Sequence, residues 1–344
     1  MKKLLFSLLF LSLTALLCCR AQDVRRWSEG LPDWTGFRVA DEADSADFFV
    51  SFTLLKDKKV VRTKDATYRY IDYTGALLPF SSWVKSEAMN EARLAAIRKD
   101  FDILEYFARS LRDERLFTYD KDRSMEKVYI ERFQAARKEA HTTGNYSKYA
   151  LPDAPFDISS VPYETATFHH GVTVGLFSNI PFGDQGRLVY PTAGAAVLFE
   201  FGHERGGFQA EVNVGASPFK RHYLGLSGNW VPYVSVFTLY RGELFRKDKW
   251  RVSLYGGPGY SSRSYVENDE RISVGGLSLC EGICTDFLLN RLVTLSGPRP
   301  EQTNRFLQFK VSFNQLYNSR QRNTVPSVNL TAGLWFQTTS IKRK

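Results

Sequence analysis

The chain has 344 residues, enough for two domains of ordinary size, and its 43% apolar and 24% charged content excludes a disordered chain. Aromatics reach 14%, with 26 Phe and 17 Tyr against 3 Met, a usage that favours strands over a helical bundle. The net charge of +9 is dispersed and no internal apolar run reaches 18 residues, which excludes a polytopic helical membrane protein and gives no nucleic-acid signature.

The N-terminus reads as an export signal. Lys2 and Lys3 precede an apolar run from Leu4 to Leu17, and Cys19-Arg20-Ala21 offers small residues at the first and third positions before a cut. The mature chain is expected to start at Gln22. Export would remove Cys18 and Cys19 and lower the net charge by three. Cys280 and Cys284 would remain. On one straight strand they would stand about 13 Å apart, too far for a bridge, so a disulfide requires Glu281-Gly282-Ile283 to turn.

Residues 22–150 read as an α+β domain. Phe48–Leu55 and Val60–Tyr73 are β-rich and separated by a polar turn at Lys56-Asp57-Lys58. Leu94, Ile97, Phe101, Leu104, Ala108 and Leu111 then form one apolar helical stripe, with Ser86 as candidate N-cap and Glu87 in the first turn. Asp122–Glu139 continues as a second helix, apolar at Val128, Ile130, Phe133 and Ala136. Pro and Gly punctuate the next stretch, and residues 151–165 read as a linker.

From residue 166 to 344 the apolar period becomes two. Phe208 to Ala216, Leu307 to Asn314 and Val328 to Phe336 alternate clearly; Val172/Val174/Leu176, Ala195 to Phe201 and Trp250/Val252/Leu254 do so more weakly. Tyr233–Tyr240 is a strand by composition with two similar faces, and Ile272–Leu289 is a Gly-rich candidate. Eight such strands of about ten residues suit an all-β eight-stranded antiparallel transmembrane barrel in contact with outer-membrane lipid. Alternation alone also suits a soluble sandwich or a lipocalin-like binding barrel. The export signal, the Gln/Glu/Lys/Asn/Gly polar faces and aromatics near strand ends favour the membrane form. Asn290–Asn304 is long where a short turn is expected, and the last strand is expected to end at Phe336. With the polar faces inward, Glu200, Glu211 and Lys310 are candidates for lumen ion pairs, and an eight-stranded lumen is a plug filled by side chains.

Other chemistry is thin. His169 and His170 are adjacent on a strand and so point to opposite faces. His141, in the linker region, and His203 and His222, in turns, have no partner at ligand spacing. Gly256-Gly257-Pro258-Gly259 lacks the Gly-Lys-Ser/Thr ending of a phosphate loop and reads as a strand bend. No cofactor and no metal are implied.

Trp34-Thr35-Gly36-Phe37, Ser81-Ser82-Trp83-Val84-Lys85 and Phe101-Asp102-Ile103-Leu104-Glu105-Tyr106-Phe107-Ala108-Arg109-Ser110-Leu111-Arg112 resemble an uncharacterised family of secreted zinc peptidases. The resemblance covers residues 27–116. That family carries His-Glu-x-x-His directly before Phe-Asp-Ile-x-Glu on one helix. Two His four apart hold zinc on one helix face, and the Glu activates water. Here the first His position is Ala96, the Glu position is Ile97 and the second His position is Asp100; Glu105 still matches. The resemblance thus implies a retained fold without catalysis, a pseudo-enzyme in the periplasm. The C-terminal half is similar in pattern to small outer-membrane β-barrels of Bacteroidetes, which implies a non-catalytic envelope protein binding a periplasmic or cell-surface partner. The alternatives are a membrane-tethered zinc peptidase-like enzyme or a soluble exported binding protein.

Overall fold

The computed structural model describes residues 24–40, 46–118, 124–152, 154–219, 230–267, 270–297, 299–318 and 323–344. The expected export signal lies outside these residues. Contacts divide the chain into two units. The first holds the described residues up to Val60, Arg69–Ile158 and Ser296–Arg299; the second holds Val61–Tyr68, Ser159–Leu295 and Pro300–Lys344.

The first unit contains most of strands β1 (Phe52–Arg62) and β2 (Thr67–Leu77), two long helices, α1 (Glu91–Arg115) and α2 (Ser124–Thr143), and short strand pieces at Arg38–Val39, Phe48–Phe49 and Trp83–Val84. The whole predicted stripe of α1 is buried, from Leu94 to Leu111. It packs with Phe133, Ala136 and Ala140 of α2, and Phe52 stacks on Phe101 and meets Phe133 edge-on. Three sequence expectations shift here. Lys56-Asp57-Lys58 lies within β1, because an edge strand tolerates charged residues that face water. The turn falls at Thr63–Ala66, closed by Thr63 N–H to Ala66 O at 2.8 Å and Ala66 N–H to Thr63 Oγ1 at 3.1 Å. The α1 cap is Asn90, whose Oδ1 accepts from Arg93 N–H at 2.9 Å, while Ser86–Ala88 makes a separate 3-10 turn. On α2 the buried face runs through Tyr129, Phe133, Ala136 and Ala140, leaving Val128 exposed.

The second unit is a closed ring of eight antiparallel strands: β3 (Tyr163–Pro181), β4 (Thr192–His203), β5 (Gly206–Pro218), β6 (Trp230–Lys247), β7 (Trp250–Glu267), β8 (Glu270–Thr294), β9 (Glu301–Asn318) and β10 (Asn323–Arg343). Each pairs with its sequence neighbours, and β10 closes on β3 with Leu334 opposite Val174. The strands run 12 to 25 residues, longer than the sequence pattern suggests. Three register irregularities explain part of the extra length: at Glu243/Phe245, Leu288/Asn290 and Thr339/Ile341. Past the second, β8 and β9 stay paired to Thr294 and Glu301, so the long Asn290–Asn304 connection shrinks to residues 295–300. Past the third, β10 runs on beyond Phe336 to pair Arg343 with Tyr163. A bulge absorbs one extra residue and lets the ladder continue.

The ring is inverted relative to a water-soluble core. Its buried interior carries Glu200, Gln209, Glu211, Asn213, Arg241, Arg263, Asp286, Gln308, Lys310, Asn314 and Asn329. Its outward side exposes Leu176 (75%), Leu277 (72%), Val214, Val236, Ile283, Val311 and Leu334. Gly256–Gly259 stays within β7 and does not bend out of it. A Cβ on Gly259 would lie 2.2 Å from the Phe237 ring, so this glycine makes room for a large interior side chain on the next strand.

Candidate functional site

The lumen holds one continuous polar network. His169 Nε2 on β3 and Glu200 Oε1 on β4 are 2.9 Å apart. Glu200 Oε2 accepts from Gln209 Nε2 at 2.7 Å and from Arg241 Nη1 at 3.3 Å. Arg241 also pairs with Asp286 of β8 and donates to Ser253 Oγ at 3.1 Å. Asp286 accepts from Gln308 Nε2 at 3.0 Å, and Gln308 accepts from Thr173 Oγ1 at 3.1 Å, which returns the network to β3. The Arg241 guanidinium lies 4.4 Å from the centre of the Trp335 ring, and Phe306 stacks on the same indole. Charges this deep persist only when paired and hydrogen-bonded, and Arg241 with two carboxylates meets that condition.

A second cluster sits beside it. Lys310 Nζ pairs with Glu211, Glu211 Oε1 accepts from Asn213 Nδ2 at 2.9 Å, and the Lys310 ammonium lies 4.2 Å from the Tyr255 ring centre. A third joins Arg263 to Asn179, whose Nδ2 donates to Asn329 Oδ1 and Ser327 Oγ. Large side chains and these clusters fill the ring, as an eight-strand diameter requires.

Of the residues singled out from sequence, Glu211 and Lys310 meet each other. Glu200 is also a lumen carboxylate, but its partners are His169 and Arg241. His169 is buried inside and its neighbour His170 is exposed outside, as strand alternation dictates. The bridge considered for Cys280 and Cys284 is absent: β8 runs straight through Glu281-Gly282-Ile283, and both cysteines are buried free thiols. Cys284 instead points its Sγ at Asp286 Oδ1, 3.4 Å away. Arg241 and Asp286, which hold the network together, escaped the sequence reading. Arg241 shares the strand parity of Tyr233, and that was the available signal.

In the first unit, the four motif positions lie along α1. Ala96 is half-buried, and Ile97 is a core residue 1% exposed, in the cluster with Phe101, Leu104 and Phe133. Asp100 is buried and salt-bridged to α2, with Arg137 Nε at 2.7 Å and His141 Nε2 at 2.8 Å. His141 therefore lies in the last turn of α2 and not in a linker. Burial raises the Asp100 carboxyl above the ordinary range, although Arg137 and His141 pull the other way. Glu105 accepts from Gly75 N–H at 2.9 Å and Thr74 Oγ1 at 3.1 Å and pairs with Arg109 at 3.0 Å, tying β2 to α1. A Cβ on Gly75 would sit 3.0 Å from Leu104, so strand and helix pack closely there. Among the described residues no group of three His, Cys, Asp or Glu is placed to hold a metal ion. A hollow of about 610 Å³ borders the same helix. There Trp27 Nε1 donates to Asp102 at 2.8 Å, Arg109 lies over Trp27 and Lys99 over Tyr146.

The architecture that these residues build is an eight-stranded antiparallel barrel with a polar, filled lumen and an apolar outside. No family model matches the chain, and no curated protein matches it. Several solved structures are similar over about half of it, among them the following three. Neisserial surface protein A is 9% identical over 50% of this chain and 97% of its own, with a TM-score of 0.36. Ail of Yersinia pestis is 10% identical over 50% and 99%, with a TM-score of 0.34. The outer membrane protein OprG from Pseudomonas aeruginosa is 11% identical over 50% and 93%, with a TM-score of 0.27. At these values the likeness carries no functional argument, and the barrel stands on its own strand register.

Proposed function

We propose that this chain is a non-catalytic outer-membrane β-barrel protein that carries residues 22–150 as a periplasmic unit with a peptidase-like helix stripped of its zinc ligands. The observation that carries the reading is the inverted ring. On β6, Trp230 and Tyr240 face out and bracket Val234 and Val236, while Tyr233, Ser235, Phe237 and Leu239 are buried inside. Ten residues at about 3.3 Å each, tilted by about 40°, give a band about 25 Å tall, the height of the apolar belt of membrane barrels. Water is a poor solvent for a continuous apolar belt of this extent, and soluble monomers rarely expose patches beyond a few hundred Å². A lipocalin-like binding barrel would need the opposite distribution and an open cavity, where this lumen holds paired charges.

Connection lengths support an orientation. At the end where the chain joins the ring the connections are residues 204–205, 248–249 and 295–300; at the other end they are 182–191, 219–229, 268–269 and 319–322, so the two longest lie there. Short turns face the periplasm in such barrels, which supports the reading of residues 22–150 as periplasmic, after cleavage of an export signal near Ala21-Gln22. Its role would be envelope structure or partner binding and not peptide hydrolysis. Ile97 supplies core packing where a peptidase needs its base, and Asp100 is committed to α2.

Fractionation of expressing cells tests this, followed by a denaturing gel of boiled and unboiled membrane samples. Outer-membrane recovery with a heat-dependent mobility shift is expected, because a closed ring has no unpaired edge from which to unravel. Recovery as a soluble periplasmic protein would refute it.

A further inference from the structure

The ring has a hollow of about 240 Å³ inside the end formed by the starts of β3, β7 and β9 and the ends of β6, β8 and β10. Four cationic side chains line it, Arg246, Lys249, Arg251 and Arg291, together with two carboxylates, Glu204 and Asp248. Two of the bulges aim them. Alternation counted from buried Arg241 would turn Arg246 outward, and alternation counted from buried Asp286 would turn Arg291 outward. The irregularities at Glu243/Phe245 and Leu288/Asn290 each insert one residue and bring both guanidinium groups to the mouth.

The four cations outnumber by one the carboxylates beside them, Glu204, Asp248 and Glu243. Arg246 and Arg251 share one carboxylate, Glu243, at 2.6 and 3.2 Å. Glu204 reaches only Arg246, at 3.5 Å, and is largely exposed. Arg251 Nε is buried and makes no well-aligned hydrogen bond. Its guanidinium is held over the Phe306 and Trp335 rings at 5.0 and 5.3 Å, which fixes its direction. Arg291 donates to the neutral Asn304 Oδ1 at 3.3 Å, and among the described residues neither Arg291 nor Lys249 has an ion-pair partner. Thr165, Thr339 and Gln302 add neutral hydrogen-bonding groups to the wall.

We propose that this mouth is a binding site for a small oxyanion of the phosphate class. Convergent guanidinium groups match tetrahedral oxyanions through paired, charge-assisted hydrogen bonds, and a semi-enclosed site strengthens each of them. The hollow is far larger than one water needs, so the anion fits with part of its hydration. The site stands on the ring's own geometry, so recovery of the chain as a soluble protein would leave it intact.

The test uses the full chain, purified in phosphate-free buffer and titrated with inorganic phosphate at fixed ionic strength set by chloride. Binding is read by equilibrium dialysis and by the rise in unfolding midpoint. Saturable binding is expected, weakened about tenfold or more in Arg291→Gln and in Lys249→Gln, neither of which removes a carboxylate's partner. A parallel titration with dihexanoyl phosphatidic acid identifies the source. Tighter binding than inorganic phosphate assigns the site to a lipid headgroup, and equal or weaker binding assigns it to a free anion. No saturable phosphate binding above the chloride control, or wild-type affinity in both variants, would overturn the proposal.

Discussion

Replacing Lys310 with Met tests the lumen most directly. Its side chain and that of Glu211 are 2% and 5% exposed, so the pair sits where water cannot substitute for a lost partner. Met keeps the length and packing of the Lys stem but leaves Glu211 as a buried carboxylate with the Asn213 amide at 2.9 Å. Breaking a buried pair from one side costs about 3–5 kcal/mol, and the Asn213 bond should hold Lys310→Met near the lower end, about 3 kcal/mol. The converse change, Glu211→Gln, leaves the ammonium over the Tyr255 ring at 4.2 Å. A desolvated cation–π contact recovers up to about 2 kcal/mol, so Glu211→Gln should cost about 1–2 kcal/mol less than Lys310→Met. The double variant Lys310→Met with Glu211→Leu removes both charges and should return to within about 1 kcal/mol of wild type. Urea unfolding of the refolded barrel, followed by tryptophan fluorescence and by gel mobility, measures all three. A Lys310→Met midpoint equal to wild type, or a double variant as unstable as the worse single one, would refute the reasoning.

Val236→Arg, midway between Trp230 and Tyr240 on the outward face, should destabilise the ring by about 2–4 kcal/mol in lipid vesicles. The same change should have little effect if that face meets water. Glu105→Ala orphans the Gly75 N–H and should cost about 2–3 kcal/mol in the first unit, visible as faster limited proteolysis between β2 and α1 of the full chain. Burial raises the Asp100 carboxyl, so the folded state holds that proton more tightly than the unfolded chain does. Stability of the first unit should therefore fall as pH rises from about 3.8 through the raised value; Asp100→Asn should flatten that slope in hydrogen exchange. Cys280 and Cys284 should both resist maleimide in the folded barrel and both react after unfolding without a reductant.

The barrel was legible wherever one face is polar and the other is not. Gln209, Glu211 and Asn213 alternate with outward Phe208, Ala210 and Val212, and Lys310 alternates with Phe309 and Val311. β6 hid its sense because Tyr233, Phe237 and Leu239 fill the lumen while Val234 and Val236 face out, so both faces are apolar and alternation vanishes. Arg241 was lost with it, and Asp286 lay in the Gly-rich stretch of β8, where no alternation marked a polar face. The strand ends were misread for a different reason. A bulge shifts the period by one residue, so the pattern of β8 breaks at Leu289 while the pairing continues to Thr294. In the first unit the α1 stripe was plain, since a helix repeats over many turns. The pairing of Asp100 with Arg137 and His141 was not, because it joins two helices and depends on how they pack.

Ring closure through β10 and β3 has a consequence for how the chain can be made. The first strand of the ring receives one of its two neighbours only from the last strand, so no partial product has a complete ladder. Until Val174 meets Leu334, two bare strand edges and the whole apolar outside are open to other chains. Loss of the final strand should therefore leave an aggregating open sheet in place of a smaller barrel, and the assembling chain must be held apart from its copies until β10 arrives.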